Sequence, residues 1–389
     1  MSTKFRAAII FPLSLMLMST PAIAAMKAGA ACSAKGQVKI SSGYKYTCIK
    51  SGKKLVWSKG VKVAVKVTPT PTPTPTLVET PSYKTAKNFF NTWATSTQSK
   101  SNNIYAVSTT LNQSQVQFMI DTQEKFYGFW LSQGVTFSSS ITTYFFTELD
   151  RTWLSQREVP SGCVFDQWLS GSFANQADGR VCQSTDGRSF VLFPIGSEFI
   201  KQDSRFKTFG LEAAAHEIEH VVQNELFRYR MPDPCWFREG FTTYSVWIQT
   251  SYEPTYKAMT SLKSATYRNL MSNLKKSNLI INGKKSEEWT NKEWLEILDY
   301  QPSNPVCWGR NADGTPSLTP IYLGYSAGPF IVEKMYIDFG VIPIVNFMKS
   351  VGLLNNFSLA FSQVFGVEYS KWMISDAIPW LLSGGETSP

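Results

Sequence analysis

Only two histidines occur in the chain, and both lie in one pentapeptide, His216-Glu217-Ile218-Glu219-His220. Residues four apart on a helix sit one above the other on the same face, so both imidazoles can reach a single metal ion. Glu217 is about 100° further round, from the ~3.6-residue repeat, where its carboxylate can touch a water beside the metal rather than the metal itself. H-E-x-x-H is therefore the pattern a hydrolytic zinc site requires on a helix: two ligands with a base next to them. Histidine is absent elsewhere, so the pairing is not a by-product of a histidine-rich composition. Two surface histidines beside two glutamates is the competing reading.

The element that must present these side chains is favoured locally. Leu211-Glu212-Ala213-Ala214-Ala215 leads into the motif, and these residue types are good helix formers. Met231-Pro232-Asp233-Pro234 then stops the helix, because proline cannot continue one. Catalytic zinc usually has three protein ligands and an open position for water. With no third histidine, the missing ligand must be a carboxylate or a cysteine. Glu239 is the strongest candidate, against the alternative of an ordinary surface acid. The 18 residues between it and His220 allow one helix to end, a turn to form and a second helix to present the carboxylate.

Glu239 lies in a W-x-x-E-G-x-x-x-Y segment made by Trp236, Glu239, Gly240 and Tyr244. Here the chain resembles the gluzincins, metallopeptidases with H-E-x-x-H and a distant glutamate, and in particular their aminopeptidase N-like, peptidase MA-like branch. Gly324-Tyr325-Ser326-Ala327-Gly328-Pro329-Phe330 resembles that group's Y-x-x-G turn before an apolar helix, and Tyr336-Ile337-Asp338-Phe339-Gly340 and Phe365-Gly366 its helical tail. The resemblance covers roughly residues 200–380. It implies Zn2+ held by His216, His220 and Glu239, with Glu217 moving a proton from water to the leaving amine and Tyr325 supporting the oxyanion. Tyr325 as a core residue, with Tyr322 close by, is the competing assignment. Glu219 points away from the pair and reads as structural. The chain departs from the group in lacking the G-x-M-E-N segment that holds a free amino terminus; Phe193-Pro194-Ile195-Gly196-Ser197-Glu198-Phe199 stands at a comparable place without matching. Endopeptidase action is accordingly favoured over aminopeptidase action. The alternatives are a zinc hydrolase of a non-peptide substrate and a non-catalytic, zinc-containing surface-binding protein.

Around this centre, 389 residues with 43% hydrophobic and 14% aromatic content allow a substantial core. Lys4 and Arg6, an apolar stretch from Ala7 to Met18 and Ala22-Ile23-Ala24 read as a signal peptide over 1–24. No later segment is apolar for long enough to span a bilayer, so the expectation is a secreted or cell-surface-associated protein. Six cysteines suit an oxidising compartment, with Cys32–Cys48, Cys163–Cys182 and Cys235–Cys307 the preferred pairing.

The +9 net charge is uneven: ten lysines and no acidic residue fall between Ala25 and Val67, while the chain beyond carries 26 basic against 29 acidic residues. Residues 25–67 therefore read as a small, lysine-rich, disulfide-closed β module drawn to an anionic cell-surface polymer or merely well solvated; nucleic acid is not expected. Thr68-Pro69 and the alternating prolines after it make 68–81 a semi-rigid linker. Residues 82–389 form the metallopeptidase-like domain acting on a peptide or protein. Ser114–Ser132 has a helical rhythm, Val135–Thr147 and Ser189–Pro194 read as strands, and helices dominate from Leu211. The fold class is α+β: a mixed sheet region, then a mainly helical half, preceded by the small β module.

Overall fold

A computed structural model describes residues 27–63, 79–96, 101–228, 234–252, 257–277, 279–299 and 322–385. The chain divides into two compact units, Met1–Thr76 and Leu77–Pro389. The expected signal peptide, most of the expected Thr-Pro linker and the expected Cys235–Cys307 pairing lie outside the described residues.

In the first unit β1 (Val38–Ser41) pairs antiparallel with β2 (Tyr44–Ser51), which pairs on its other side with β3 (Lys54–Trp57) and β4 (Val61–Lys62). Ser42 and Gly43, both at positive φ, close the first hairpin with the two left-handed residues that match strand twist. Cys48 and Trp57 are buried, and Cys32 is disulfide-bonded to Cys48. A module this small has too little core to stand on burial alone, and the cross-link compensates.

The second unit opens with α1 (Pro81–Thr95), capped by Thr80, whose hydroxyl accepts from the Tyr83 amide. There follow β5 (Ile104–Val107), α2 (Gln113–Ser132), β6 (Thr142–Phe146), the short α3 (Arg151–Ser155), β7 (Arg180–Gln183) and β8 (Ser189–Pro194). The sheet runs β5-β6-β8-β7, with β5, β6 and β8 parallel and β7 antiparallel at the edge. Alternation sends Phe145, Val191 and Phe193 to the main core and Tyr144, Phe146, Phe190 and Leu192 to a smaller one. The smaller core is closed by Trp168, Phe173 and the Cys163–Cys182 disulfide.

The helical half comprises α4 (Asp203–Phe227), α5 (Cys235–Ser251), α6 (Lys257–Lys276), the hairpin β9 (Ile280–Ile281) and β10 (Lys284–Lys285), α7 (Asn291–Leu298), α8 (Leu323–Ser326), α9 (Gly328–Phe339), α10 (Val341–Leu354), α11 (Phe357–Phe365), α12 (Tyr369–Trp372) and α13 (Ile378–Leu382). Along α4, every residue from Ala213 to Asn224 except His216 is buried, which makes it the central strut of the unit. No single helix among the described residues is long and apolar enough to cross a membrane; α9 and α10 together would be, but they bend by 112°.

The α+β expectation therefore holds, with two differences in detail. Val135–Thr147 is strand only over Thr142–Phe146. Gly134 leaves α2 at φ +81, and the Ser138 amide and hydroxyl bond to the Glu225 carboxylate of α4, at 3.0 Å each, instead of joining the sheet. The motif helix also starts earlier than expected, at Asp203 rather than near Leu211, where an acid in the first turn suits the helix dipole.

Candidate metal centre

The i, i+4 spacing on α4 brings His216 Nε2 to 3.1 Å from His220 Nε2. From the neighbouring α5, Glu239 places Oε2 at 3.2 Å from the first and 3.4 Å from the second. These three residues form a buried group that could hold a metal ion, their ligand atoms all within 4.8 Å of one another. A tetrahedral ion with bonds of ~2.0–2.1 Å separates its ligands by about 3.3–3.4 Å, so the observed triangle has the right size for zinc. Glu239 Oε2 is buried and without a hydrogen-bond partner among the described residues, as an atom reserved for a cation would be.

The tautomer of His220 is dictated by its surroundings. Gln223, one turn further along α4, points its amide nitrogen at the carbonyls of Arg238 (3.0 Å) and Phe237 (3.4 Å). Its oxygen is thereby turned to His220 Nδ1 at 2.8 Å, so Nδ1 must donate and Nε2 keeps a bare lone pair facing Glu239 and His216. Gln223 thus ties the histidine helix to the start of the glutamate helix.

Electrostatics match this picture. Burial pushes Glu239 up, but the two imidazoles more than reverse it and hold its carboxyl well below the usual range. Burial alone would lower His216; the Glu239 carboxylate, aided by Glu217, raises it instead. Glu217 is pushed up mainly by burial, with the histidines pulling the other way and Glu239 and Asp178 adding to the rise.

Two glycines set the spacing between the helices. A Cβ on Gly240 would lie 2.4 Å from the Gly328 backbone, and one on Gly328 would lie 2.3 Å from the Trp236 carbonyl oxygen. Helices α5 and α9 therefore meet backbone to backbone, which brings the turn containing Tyr325 beside Glu239. The Tyr325 ring stacks on His216, centroids 5.7 Å apart at 14°. Its hydroxyl hydrogen-bonds with Glu239, and enclosure together with the Glu239 and Glu217 charges drives its pKa far above normal. Both tyrosines are exposed, Tyr322 at 45% and Tyr325 at 37%, and what separates them is the stacking of the Tyr325 ring on His216. Trp236 anchors the base of α5 by donating to the Tyr369 hydroxyl at 3.1 Å, and Tyr369 donates in turn to Asp299.

Glu219 is fully buried on the far side of α4, where burial drives its carboxyl well above the usual range against the moderating Trp130 and Ser245. It plays no part at the ligand triangle, in keeping with the structural reading from sequence.

Three residues at the site escaped the sequence reading. Gln223 carried a signal, since i+3 from His220 puts it within reach of the other ring nitrogen. Asp178 and Gly179 carried none. They precede the edge strand β7, and a Cβ on Gly179 would fall 2.7 Å from Glu217 Oε1. The segment bordering Glu217 is therefore 178–179, not Phe193–Phe199, which forms the end of β8 and the turn after it. Asp178 accepts from the Trp168 indole at 3.1 Å and is pushed up chiefly by burial.

The second unit holds two grooves of about 590 Å3, one of which includes Tyr325. One is lined by Tyr325, Tyr322, Thr266, Asn269 and Asn273, the other by Ala177, Phe199, Arg205, Phe209 and Glu212. Comparison of the chain with protein-family models, with curated proteins and with solved structures gives no match. The reading of the site rests on its own geometry.

Proposed function

We propose that this chain is an exported zinc-dependent peptidase. The observation that carries the reading is the ligand triangle of His216, His220 and Glu239, with the buried, proton-avid Glu217 beside it. Both described disulfides fit an oxidising environment. Zinc, when bound by these three residues, polarises a carbonyl and lowers the pKa of a coordinated water towards ~7.

The chain's own groups supply the rest. Glu217 takes the proton of the attacking water on its carboxylate and hands it to the nitrogen of the departing amine; its raised proton affinity suits both halves of that transfer. Tyr325, whose hydroxyl rests on Glu239, can turn it as a hydrogen-bond donor to the oxygen on which negative charge develops. Gln223 holds the His220 proton on Nδ1 and so keeps Nε2 available as a ligand. A peptide is favoured over other substrates because β7 is an edge strand, with no strand partner on its outer side among the described residues, running away from Gly179 and Glu217. An extended chain can add to such an edge by main-chain hydrogen bonds. A site for metal storage or surface binding alone would not need a base at position 217.

Internal cleavage is the primary reading. Removal of amino-terminal residues is favoured by one observation: the Asp178 carboxylate lies near enough to influence both Glu217 and Tyr325, where it can pair with an ammonium group. Peptides with free and acetylated amino termini separate the two modes.

The decisive variant is Glu217→Gln. It should keep the fold and stoichiometric zinc while hydrolysis of casein or a peptide library falls by about a thousandfold, within the range expected for loss of a general acid–base group. Unchanged turnover would sink the mechanism. Stoichiometric zinc in a wild-type protein that cuts nothing would favour the binding alternative.

A further inference from the structure

The amino-terminal β module carries a surface that the metal centre does not explain. Strand partners in register share a face, and alternation along β2 groups Lys45, Thr47 and Ile49. The register Ile40–Lys45–Val61 crosses three strands on that face, Val38 lies opposite Thr47, and Ile49 opposite Val56. Ile40 and Val61 are 67% and 68% exposed, and Val38, Ile49 and Val63 are exposed as well. The opposite face holds the buried Cys48 and Trp57, so the module's small core uses one side of the sheet only.

Five exposed aliphatic side chains on a module of this size form an interaction surface rather than ordinary scatter. Its electrostatic frame is entirely positive, with ten lysines and no acid between Ala25 and Val67. The partner must therefore offer negative charge and hydrocarbon together. A soluble polyanion offers charge alone. A saccharide selects exposed aromatic rings, and the strand alternation puts the module's rings, the exposed Tyr44 and the buried Trp57 among them, on the other face from Ile40 and Val61. The headgroup region of an anionic bilayer offers both. Lys45, between Ile40 and Val61, can lay its aliphatic stem along them and present its ammonium to a phosphate.

We infer that this face of the module docks on an anionic lipid surface, with Ile40, Val61 and Ile49 entering the interface and the surrounding lysines meeting lipid phosphates. The inference is independent of the peptidase reading. It gives the unit beyond residue 77 a membrane-proximal position while leaving its chemistry untouched.

The test uses the chain from Ala25 onward, so that the apolar leader cannot contribute, in flotation with vesicles. Binding is expected to phosphatidylglycerol/phosphatidylcholine vesicles, with no binding to phosphatidylcholine alone and weakening as salt rises. Ile40→Ser/Val61→Ser should lower partitioning roughly tenfold, since hydrocarbon contact is lost with every lysine retained. Ile40→Leu/Val61→Leu should stay near wild type and thereby exclude misfolding as the cause. The inference is overturned if the serine pair binds as the wild type does, or if inorganic polyphosphate competes completely at equal charge whatever residues stand at 40 and 61. It is equally overturned if sedimentation shows a dimer that the serine pair dissociates, for then the face belongs to a second copy of the chain.

Discussion

Two buried polar clusters lie in the second unit and differ in one respect. Lys263 and Glu333, both fully buried, are 2.6 Å apart. Lys263 also donates to the Ser82 hydroxyl at 2.9 Å and to the Gly385 carbonyl, while Glu333 accepts from Ser82 at 2.6 Å and from the Trp380 indole at 3.3 Å. Donors and acceptors there balance, and the cluster pins α1, α6, α9 and the end of α13 together. At the other cluster, His216, His220 and Glu239 aim three ligand atoms at one another, while the neighbouring Arg238 Nε stands 3.9 Å from the other Glu239 oxygen, Oε1, and not inside the triangle's ligand set. A closed network needs nothing from outside and is structural; a convergent set of electron pairs is complete only around a positive ion.

Lys263 is where the closed cluster is most vulnerable. Lys263→Met strands Glu333 in the core and should cost about 3–5 kcal/mol in urea denaturation, with no recovery on adding zinc. A variant of wild-type stability would show that the closed network is dispensable. The open cluster should respond in the opposite way. Zinc at 100–1,000 times its Kd should stabilise the wild type by about 2.7–4 kcal/mol, a chelator should reverse the gain, and Glu239→Ala should abolish it. Persistence of the shift in that variant would move the ligand role elsewhere.

Smaller changes sharpen the contrast. Gln223→Ala should weaken zinc binding about 10–100-fold in competition with a chromophoric chelator, because His220 is then free to carry its proton on the ligand nitrogen. Gln223→Glu, which still accepts from Nδ1, should recover most of the loss. Asp299 is an intermediate case, a half-buried carboxyl with one hydrogen-bond partner among the described residues, Tyr369, held up at about 6 chiefly by burial. A folded pKa above the unfolded value means its stabilisation is complete below about pH 4 and lost as pH rises through about 6. Over that window the wild type should lose about 1 kcal/mol after allowance for screening, and Asp299→Asn should flatten the loss in a pH series of thermal melts.

What could be read from sequence was what is local. The H-E-x-x-H spacing, the helix around it and the buried run Ser189–Pro194 depend on neighbours within a few residues, and each is where the pattern placed it. Glu239 was legible because an 18-residue interval constrains a helix–turn–helix. Asp178 and Gly179 were not, because only the pairing of β7 with β8 brings them to α4. Nor was the Lys263–Glu333–Ser82 cluster. Its members lie 70 to 251 residues apart and are residue types that usually read as surface. Val135–Ile141 failed for a related reason: its β-branched and aromatic content says strand, but a carboxylate from α4 captures the backbone first.

The contact between Gly240 and Gly328 makes the site behave as an all-or-none assembly. Their separation is fixed by atomic radii rather than by rotamers, so it cannot be adjusted in small steps. A single added carbon prises the carboxylate helix from the phenol-bearing turn, and no neighbouring side chain can shorten to compensate. The crossing therefore acts as a hard stop. On heating, such a joint does not loosen gradually. Loss of the ligand triangle and opening of the α5–α9 crossing should be one event.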